Sequence, residues 1–134
     1  MKHLVKLDHI GYAVKDINTT AQVYINGGWV LSNIFEEKVQ NANIAFLTKD
    51  GFPTIELVAP LEGKSPVDGF LQKVGVSPYH ICYEVDDIDE AVEDLFDEGF
   101  VPLFMPVEST AMENRRICYL FNAKTGYIEL VSSK

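Results

Sequence analysis

A ten-residue segment near the start of this chain occurs a second time 71 residues later. Residues 8–17 read DHIGYAVKDI and residues 79–88 read YHICYEVDDI. An IELV segment also occurs twice, at residues 55–58 and 128–131, with an offset of 73 residues. Self-similarity over such a length indicates one supersecondary unit that is repeated. The chain is therefore expected to fold as two similar units that differ by a short insertion.

The hydrophobic pattern predicts the element order β-α-β-β-β in each copy. Apolar residues alternate with polar or small ones near the start of each copy, which is typical of a half-buried strand. Asp16 is a suitable N-cap for a helix that ends near Gly28, and Asp87 precedes a helix predicted over 88–98. The predicted strands are residues 7–14, 29–35, 43–49 and 53–59 in the first copy and 79–85, 101–105, 116–122 and 127–132 in the second.

The segment between the copies predicts a linker helix over residues 65–75, with Ser65 as its cap and Pro66 at its first position. We therefore expect one domain over residues 1–134, made of repeat units 5–60 and 77–132. Two units of this kind with helices on one side predict an α+β fold. Its curved eight-stranded sheet would enclose a metal-binding cavity on the other face.

Composition narrows the function classes. The chain has 134 residues, 47% of them hydrophobic, which is enough for one compact core without disulfides. Its net charge of −9 argues against nucleic acid and anionic membrane surfaces as partners. No apolar run is long enough to span a membrane, and the first residues lack a secretory apolar region, so a cytoplasmic location is expected. Cys82 and Cys118 are then predicted to be reduced.

Each copy contains one His and one Glu at equivalent positions, and these are His9, Glu56, His80 and Glu129. Taken singly, a strand His or Glu is more often a core or solvent-facing residue than a ligand. Their joint recurrence favours a metal site, because strand alternation would point all four to one side of the sheet. Imidazole and carboxylate ligands suit one divalent ion of Zn, Ni, Co, Mn or Fe, with two octahedral positions left open.

A metal with open positions can hold a carbonyl or enediolate oxygen while a nearby carboxylate takes a proton from the adjacent carbon. Glu129 is the candidate for this catalytic base. Arg116 is a candidate for binding a substrate carboxylate, and strand alternation would place it on one face with Cys118. A surface ion pair is an equally good interpretation of Arg116, since the chain has 20 acidic residues.

The repeated units and their four polar residues resemble the vicinal oxygen chelate superfamily, which includes glyoxalase I and methylmalonyl-CoA epimerase. The resemblance covers essentially the whole chain, and it implies that His9, Glu56, His80 and Glu129 occupy the family's metal positions. It also implies a homodimer. Residues 55–61 (IELVAPL), 79–88 and 114–117 (NRRI) are most similar to the epimerase branch. Glyoxalase I typically has a polar, Asn-bearing stretch where this chain has VAPL.

The resemblance implies a metal-dependent epimerase or isomerase that transfers a proton alpha to a carbonyl of a small acyl or thioester substrate. Alternatives are a lactoylglutathione lyase of the glyoxalase I type and a non-catalytic ligand-binding protein. The epimerases use a second catalytic Glu in the first unit. The resemblance places Val39 or Gln40 at that position, while the neighbouring Glu36 and Glu37 are predicted to form an exposed acidic turn.

Overall fold

The computed structural model describes residues 1–134 and contains ten β-strands and three α-helices, so the predicted α+β class is confirmed. In chain order the elements are β1 (Leu4–Ala13), α1 (Ile17–Ile25), β2 (Val30–Leu31), β3 (Phe35–Glu37), β4 (Ala42–Thr48), β5 (Thr54–Pro60), α2 (Pro66–Lys73), β6 (Ser77–Val85), α3 (Ile88–Asp97), β7 (Val101–Pro102), β8 (Val107–Glu108), β9 (Arg116–Asn122) and β10 (Gly126–Ser132). A short 3₁₀ helix at Thr110–Met112 precedes β9.

The chain divides into two compact units that differ from the predicted repeats at one end. One unit is residues 9–79, and the other combines residues 1–8 with residues 80–134. The first five residues of β1, Leu4 to Asp8, thus belong to the unit that contains the second repeat. There the backbone N–H of Asp86 donates to the carbonyl of His3 over 3.1 Å.

Two of the eight predicted strands are broken, which accounts for the count of ten. The prediction over 29–35 becomes β2 and β3, and the prediction over 101–105 becomes the short β7 with β8 beyond it. In the first case the hydroxyl of Ser32 accepts a hydrogen bond from the backbone N–H of Phe46 at 2.8 Å. The side chain therefore substitutes for a backbone carbonyl at the break between the two strands.

In the unit of residues 9–79, the strand order is β2-β4-β5-β1, and β3 pairs with β4. Helix α1 begins after Asp16, whose carboxylate accepts from the backbone N–H of Thr19. The core of this unit consists of α1 and one sheet face, with Val14, Ile17, Ala21, Ala45, Leu47, Leu57 and Ala59. The side chains on the opposite face of these strands are not part of this core.

The unit of residues 1–8 and 80–134 repeats this plan. Its strand order is β6-β10-β9-β7, with β8 paired to β9. Helix α3 begins after Asp87, whose carboxylate accepts from the N–H of Glu90, as predicted for a cap. The apolar residues of α3 pack with Cys118, Leu120, Ile128 and Leu130 on one sheet face. Both cysteines are buried and neither forms a disulfide, as predicted.

The linker helix is present as α2, two residues shorter at its end than predicted. The carboxylate of Asp68 accepts from the backbone N–H of Ser65 at 3.0 Å, while the Ser65 hydroxyl donates to the carbonyl of Gln40 at 2.7 Å. Ser65 thus joins the start of the helix to the turn before β4. None of the three helices is long and apolar enough to cross a membrane.

His3 forms a cluster with three carboxylates at the start of α3. Its Nδ1 lies 2.9 Å from Asp86, and its Nε2 lies 3.3 Å from Asp94 and 3.7 Å from Glu90. The hydrogen bond that the His3 imidazole donates to Asp86, followed by the negative charges of the three carboxylates, raises the pKa of His3 above its usual value. The folded unit therefore binds a proton at His3 more tightly than the unfolded chain does.

We expect the His3→Gln variant to lose most stability at acidic pH. A raised folded-state pKa means that the contribution of His3 is fully present below the unfolded pKa of about 6.5 and is lost as pH rises through the folded value. Thermal unfolding of wild type and variant at pH 5.5 and pH 9 measures this difference. Equal differences in Tm at the two pH values would show that protonation of His3 does not stabilise the fold.

Candidate metal centre

His9 and Glu56 lie side by side in the unit of residues 9–79. They come from the parallel strands β1 and β5, where Gly11 is paired with Glu56. Both side chains are buried, and His9 Nε2 lies 3.4 Å from Glu56 Oε1. The ring of Phe46, which is the cross-strand partner of Glu56, packs edge-on against the His9 ring with 6.0 Å between centroids. The aromatic ring thus restricts the imidazole from one side.

His80 and Glu129 form the same arrangement in the other unit. They come from the parallel strands β6 and β10, and His80 Nε2 lies 3.1 Å from Glu129 Oε1. Tyr119, the cross-strand partner of Glu129, packs edge-on against the His80 ring at 5.1 Å. Strand, His–Glu pair and supporting aromatic residue are therefore all repeated. Repetition of the apolar core alone would not require that these polar residues recur.

The chemistry of these side chains fits a divalent metal ion. A buried carboxylate requires compensating positive charge, because transfer from water strongly disfavours its ionised form. Donor atoms 3.1 or 3.4 Å apart can both lie about 2.0–2.2 Å from a single ion, the usual range for imidazole nitrogen and carboxylate oxygen ligands. Each pair can thus supply two ligands without rearrangement of the strands.

The thiol of Cys118 lies on the opposite sheet face from Glu129. Cys118 faces the α3 side of β9, where its Sγ donates to the carbonyl of Phe104. Burial, with a smaller effect from the negative charge of Glu129, raises the pKa of the Cys118 thiol to about 12. The thiolate that a metal would require is therefore strongly disfavoured at this position.

The predicted exposed turn at Glu36 and Glu37 is wrong for one of the two residues. Glu36 is exposed, whereas Glu37 is 2% exposed and its Oε1 accepts from the backbone N–H of Val39 at 3.2 Å. Strand β3 extends to Glu37, which is paired with Ala42. The register across β4 and β5 then places Glu37 on the same sheet face as Glu56. Alternation continued beyond Phe35 could have indicated this orientation.

Arg116 lies on the face of β9 that α3 covers, together with Cys118 as the alternation predicts. Its guanidinium forms two hydrogen bonds of 2.9 Å with the carboxylate of Asp89 on α3, and these lower the pKa of Asp89. Glu129, by contrast, is paired with Tyr119, whose side chain points to the other face. The geometry favours the surface ion pair, and binding of a substrate carboxylate by Arg116 stays a prediction.

Arg115 was not predicted as a candidate, yet it is the more buried of the two arginines. Its guanidinium lies 3.4 Å from both Asp8 and Glu84, and its Nε donates to the carbonyl of Met112. These contacts hold the 3₁₀ segment before β9 against the middle of β1 and the end of β6. With two carboxylates on one guanidinium, the group is a structural ion-pair cluster rather than a site for an anion.

Comparison with known proteins agrees with this geometry. The model of the glyoxalase/bleomycin resistance protein/dioxygenase superfamily matches residues 8–119. Human mitochondrial methylmalonyl-CoA epimerase is 37% identical over 95 residues, which are 69% of this chain and 53% of the human protein. The chain thus matches about half the length of this curated relative.

Two solved structures share the fold over nearly the whole chain. Methylmalonyl-CoA epimerase from Mycobacterium tuberculosis has a TM-score of 0.86 and 28% identity, covering 98% of this chain and 90% of that chain. The Streptomyces coelicolor epimerase, in complex with 2-nitronate-propionyl-CoA, has a TM-score of 0.83 and 28% identity, covering 97% and 98%. With its repeated His–Glu pairs, the chain belongs to the glyoxalase/bleomycin resistance protein/dioxygenase superfamily.

Proposed function

We propose that this protein is a metal-dependent epimerase that removes and returns the proton on the carbon alpha to the carbonyl of an acyl thioester. The observation that carries the proposal is the recurrence of a buried His–Glu pair, with its supporting aromatic residue, in both units. Burial of carboxylate and imidazole groups in an apolar interior is unfavourable, so their presence in both units favours a functional role. Membership of the superfamily and similarity to named epimerases support the same reaction class.

In this proposal His9, Glu56, His80 and Glu129 together hold one divalent ion. Such an ion supplies positive charge that stabilises the enolate oxygen formed when the alpha proton leaves. The two histidines act as neutral ligands, and their rings are held in place by Phe46 and Tyr119. Imidazole and carboxylate donors suit Zn, Ni, Co, Mn and Fe alike.

Glu129 is the proposed proton acceptor, a role that it takes when its carboxylate leaves the ion during turnover. Its carboxylate takes the proton from the alpha carbon, and the electron pair of the broken C–H bond moves into the enolate. Inversion requires that a proton return to the opposite face of that carbon, so a second acid is needed. Glu37 is the candidate for this role, because it is a buried carboxylate on the sheet face that also carries Glu56. Return of the proton from Glu37 restores the carbonyl.

The thioester class of substrate is supported by the Streptomyces coelicolor relative, which was solved with an acyl-CoA analogue. The apolar VAPL sequence of residues 58–61 also favours a thioester over a glutathione adduct, since glyoxalase I typically has a polar stretch there. The homodimer implied by the family resemblance stays a proposal.

Metal-loaded protein should epimerise methylmalonyl-CoA and should not convert methylglyoxal with glutathione. Both assays are run on protein purified without chelator and supplemented with Co, Ni, Mn or Zn, after the metal content has been measured. Turnover of the glutathione hemithioacetal alone would assign the protein as a lyase of the glyoxalase I type. Stoichiometric metal without either activity would favour a ligand-binding protein and would contradict the proposed reaction.

A further inference from the structure

One row of side chains beside the second His–Glu pair is apolar and exposed. Val101 on β7, Phe121 on β9 and Tyr127 on β10 are cross-strand neighbours, and we call them the apolar row. Their exposed fractions are 61%, 39% and 36%. The rings of Phe121 and Tyr127 pack together with 5.1 Å between centroids. The row is therefore a continuous apolar strip rather than isolated surface residues.

The apolar row starts at a proposed metal ligand. Tyr127 is paired with His80 across β10 and β6, so the two side chains point to the same face. Strand spacing of about 4.8 Å carries the row roughly 14 Å away from His80, over β10, β9 and β7. The next row along the same strands contains Cys82, Glu129 and Tyr119, which are all buried. The sheet face thus changes from a buried polar centre to an exposed apolar strip.

The first repeat shows that the fold does not require this strip. The repeat offsets of 73 and 71 residues relate Tyr127 to Thr54, Phe121 to Thr48 and Val101 to Val30. Thr54 is paired with His9, and Thr48 is paired with Val30, so these residues hold the equivalent positions. Two threonines therefore complete the same sheet in one unit where two aromatic residues stand in the other. Their asymmetry points to a ligand that lies along one unit only.

We infer that the apolar row binds an extended apolar arm of the substrate and that Phe121 and Tyr127 determine specificity for its length. This inference rests on the proposed function, because the reacting end of the substrate is held next to His80. The arm is the acyl chain of the thioester, because a hydrocarbon chain matches an apolar strip, whereas the pantetheine stem carries two amide groups and a hydroxyl that require hydrogen-bond partners. Each methylene buried on the row should raise affinity about fourfold.

The test measures how ligand affinity changes with the length of the ligand, and it does not measure turnover. Calorimetry measures the affinity of acetyl-, butyryl- and hexanoyl-CoA for the metal-loaded protein, and then of hexanoyl-pantetheine and hexanoyl-N-acetylcysteamine. Phe121→Thr and Tyr127→Thr install the residues of the first repeat and should preserve the fold. Phe96→Ala, which removes an exposed ring from α3, is the control.

A dependence of affinity on the length of the thioester stem alone would assign the row to the stem and overturn the inference. In wild type and Phe96→Ala, affinity should instead rise with the length of the acyl chain. Phe121→Thr and Tyr127→Thr should each flatten that dependence, with at least a tenfold loss for the longest ligand and little change for the shortest. The inference is overturned if wild type shows no dependence on acyl-chain length, or if the threonine variants retain it. Proton exchange on a short substrate is measured separately. The proposed function can therefore be correct even if the binding data contradict the role of the apolar row.

Discussion

Replacing His80 by Ala should release most of the bound metal while leaving the fold intact. The substitution removes one of four proposed ligands and leaves the Glu129 carboxylate without its imidazole neighbour at 3.1 Å. Loss of a direct ligand should weaken metal binding at least as much as loss of a supporting hydrogen bond, which typically costs about 10- to 100-fold in affinity. Metal content after dialysis, together with far-ultraviolet circular dichroism, measures both expectations.

The matched control for His80→Ala is His3→Ala, because His3 is paired with surface carboxylates on α3 and takes no part in the proposed site. It should retain the wild-type metal content. The His9→Ala, His80→Ala double variant is the decisive protein, since it lacks the imidazole of both pairs. If this folded double variant still holds one ion per chain, the assignment of the metal site is wrong.

Replacing Glu129 by Gln should lower turnover by about 10² to 10⁴, the range that general base catalysis supplies. Gln has nearly the same shape and keeps one oxygen as a ligand, but it does not accept the alpha proton. Solvent deuterium should therefore enter the alpha carbon of the substrate with wild type and hardly at all with the variant. Metal content is measured in parallel, because the expectation concerns a variant that retains its ion.

Glu93→Gln makes the same chemical change on the exposed side of α3 and should leave exchange unaffected. If Glu129→Gln retains its metal and exchanges deuterium at the wild-type rate, Glu129 is not the base. Glu37 would then be the next residue to replace, since it is buried and shares a sheet face with Glu56.

Much of the fold follows from local patterns that repeat. Strand β9 has the predicted bounds of 116–122, and α3 ends within one residue of its prediction because its cap and the glycine that follows are strong signals. The strand predicted over 29–35 is broken because the Ser32 hydroxyl hydrogen-bonds to Phe46, fourteen residues away. Such a contact depends on tertiary structure, which a local pattern does not contain.

The site residues likewise divide into those that the sequence pattern identified and those that depend on tertiary contacts. The recurrence of His and Glu in the sequence selected two pairs that lie within 3.4 Å in their units. Glu37 was misassigned because two adjacent acidic residues resemble a solvated turn, and only the pairing of β3 with β4 reveals its burial. For Arg116, alternation gave the correct face of β9, but it carried no information that α3 and Asp89 cover that face.

Residues 1–8 belong to the same unit as residues 80–134, and this affects the order in which the two units can fold during synthesis. The unit of residues 9–79 is continuous, so all of its partners are present once α2 has been synthesised. The other unit joins the first eight residues to residues 80–134, and the hydrogen bond between His3 and Asp86 closes a loop of 83 residues. During synthesis, His3 can therefore form its contacts only after residues 86–94 have left the ribosome.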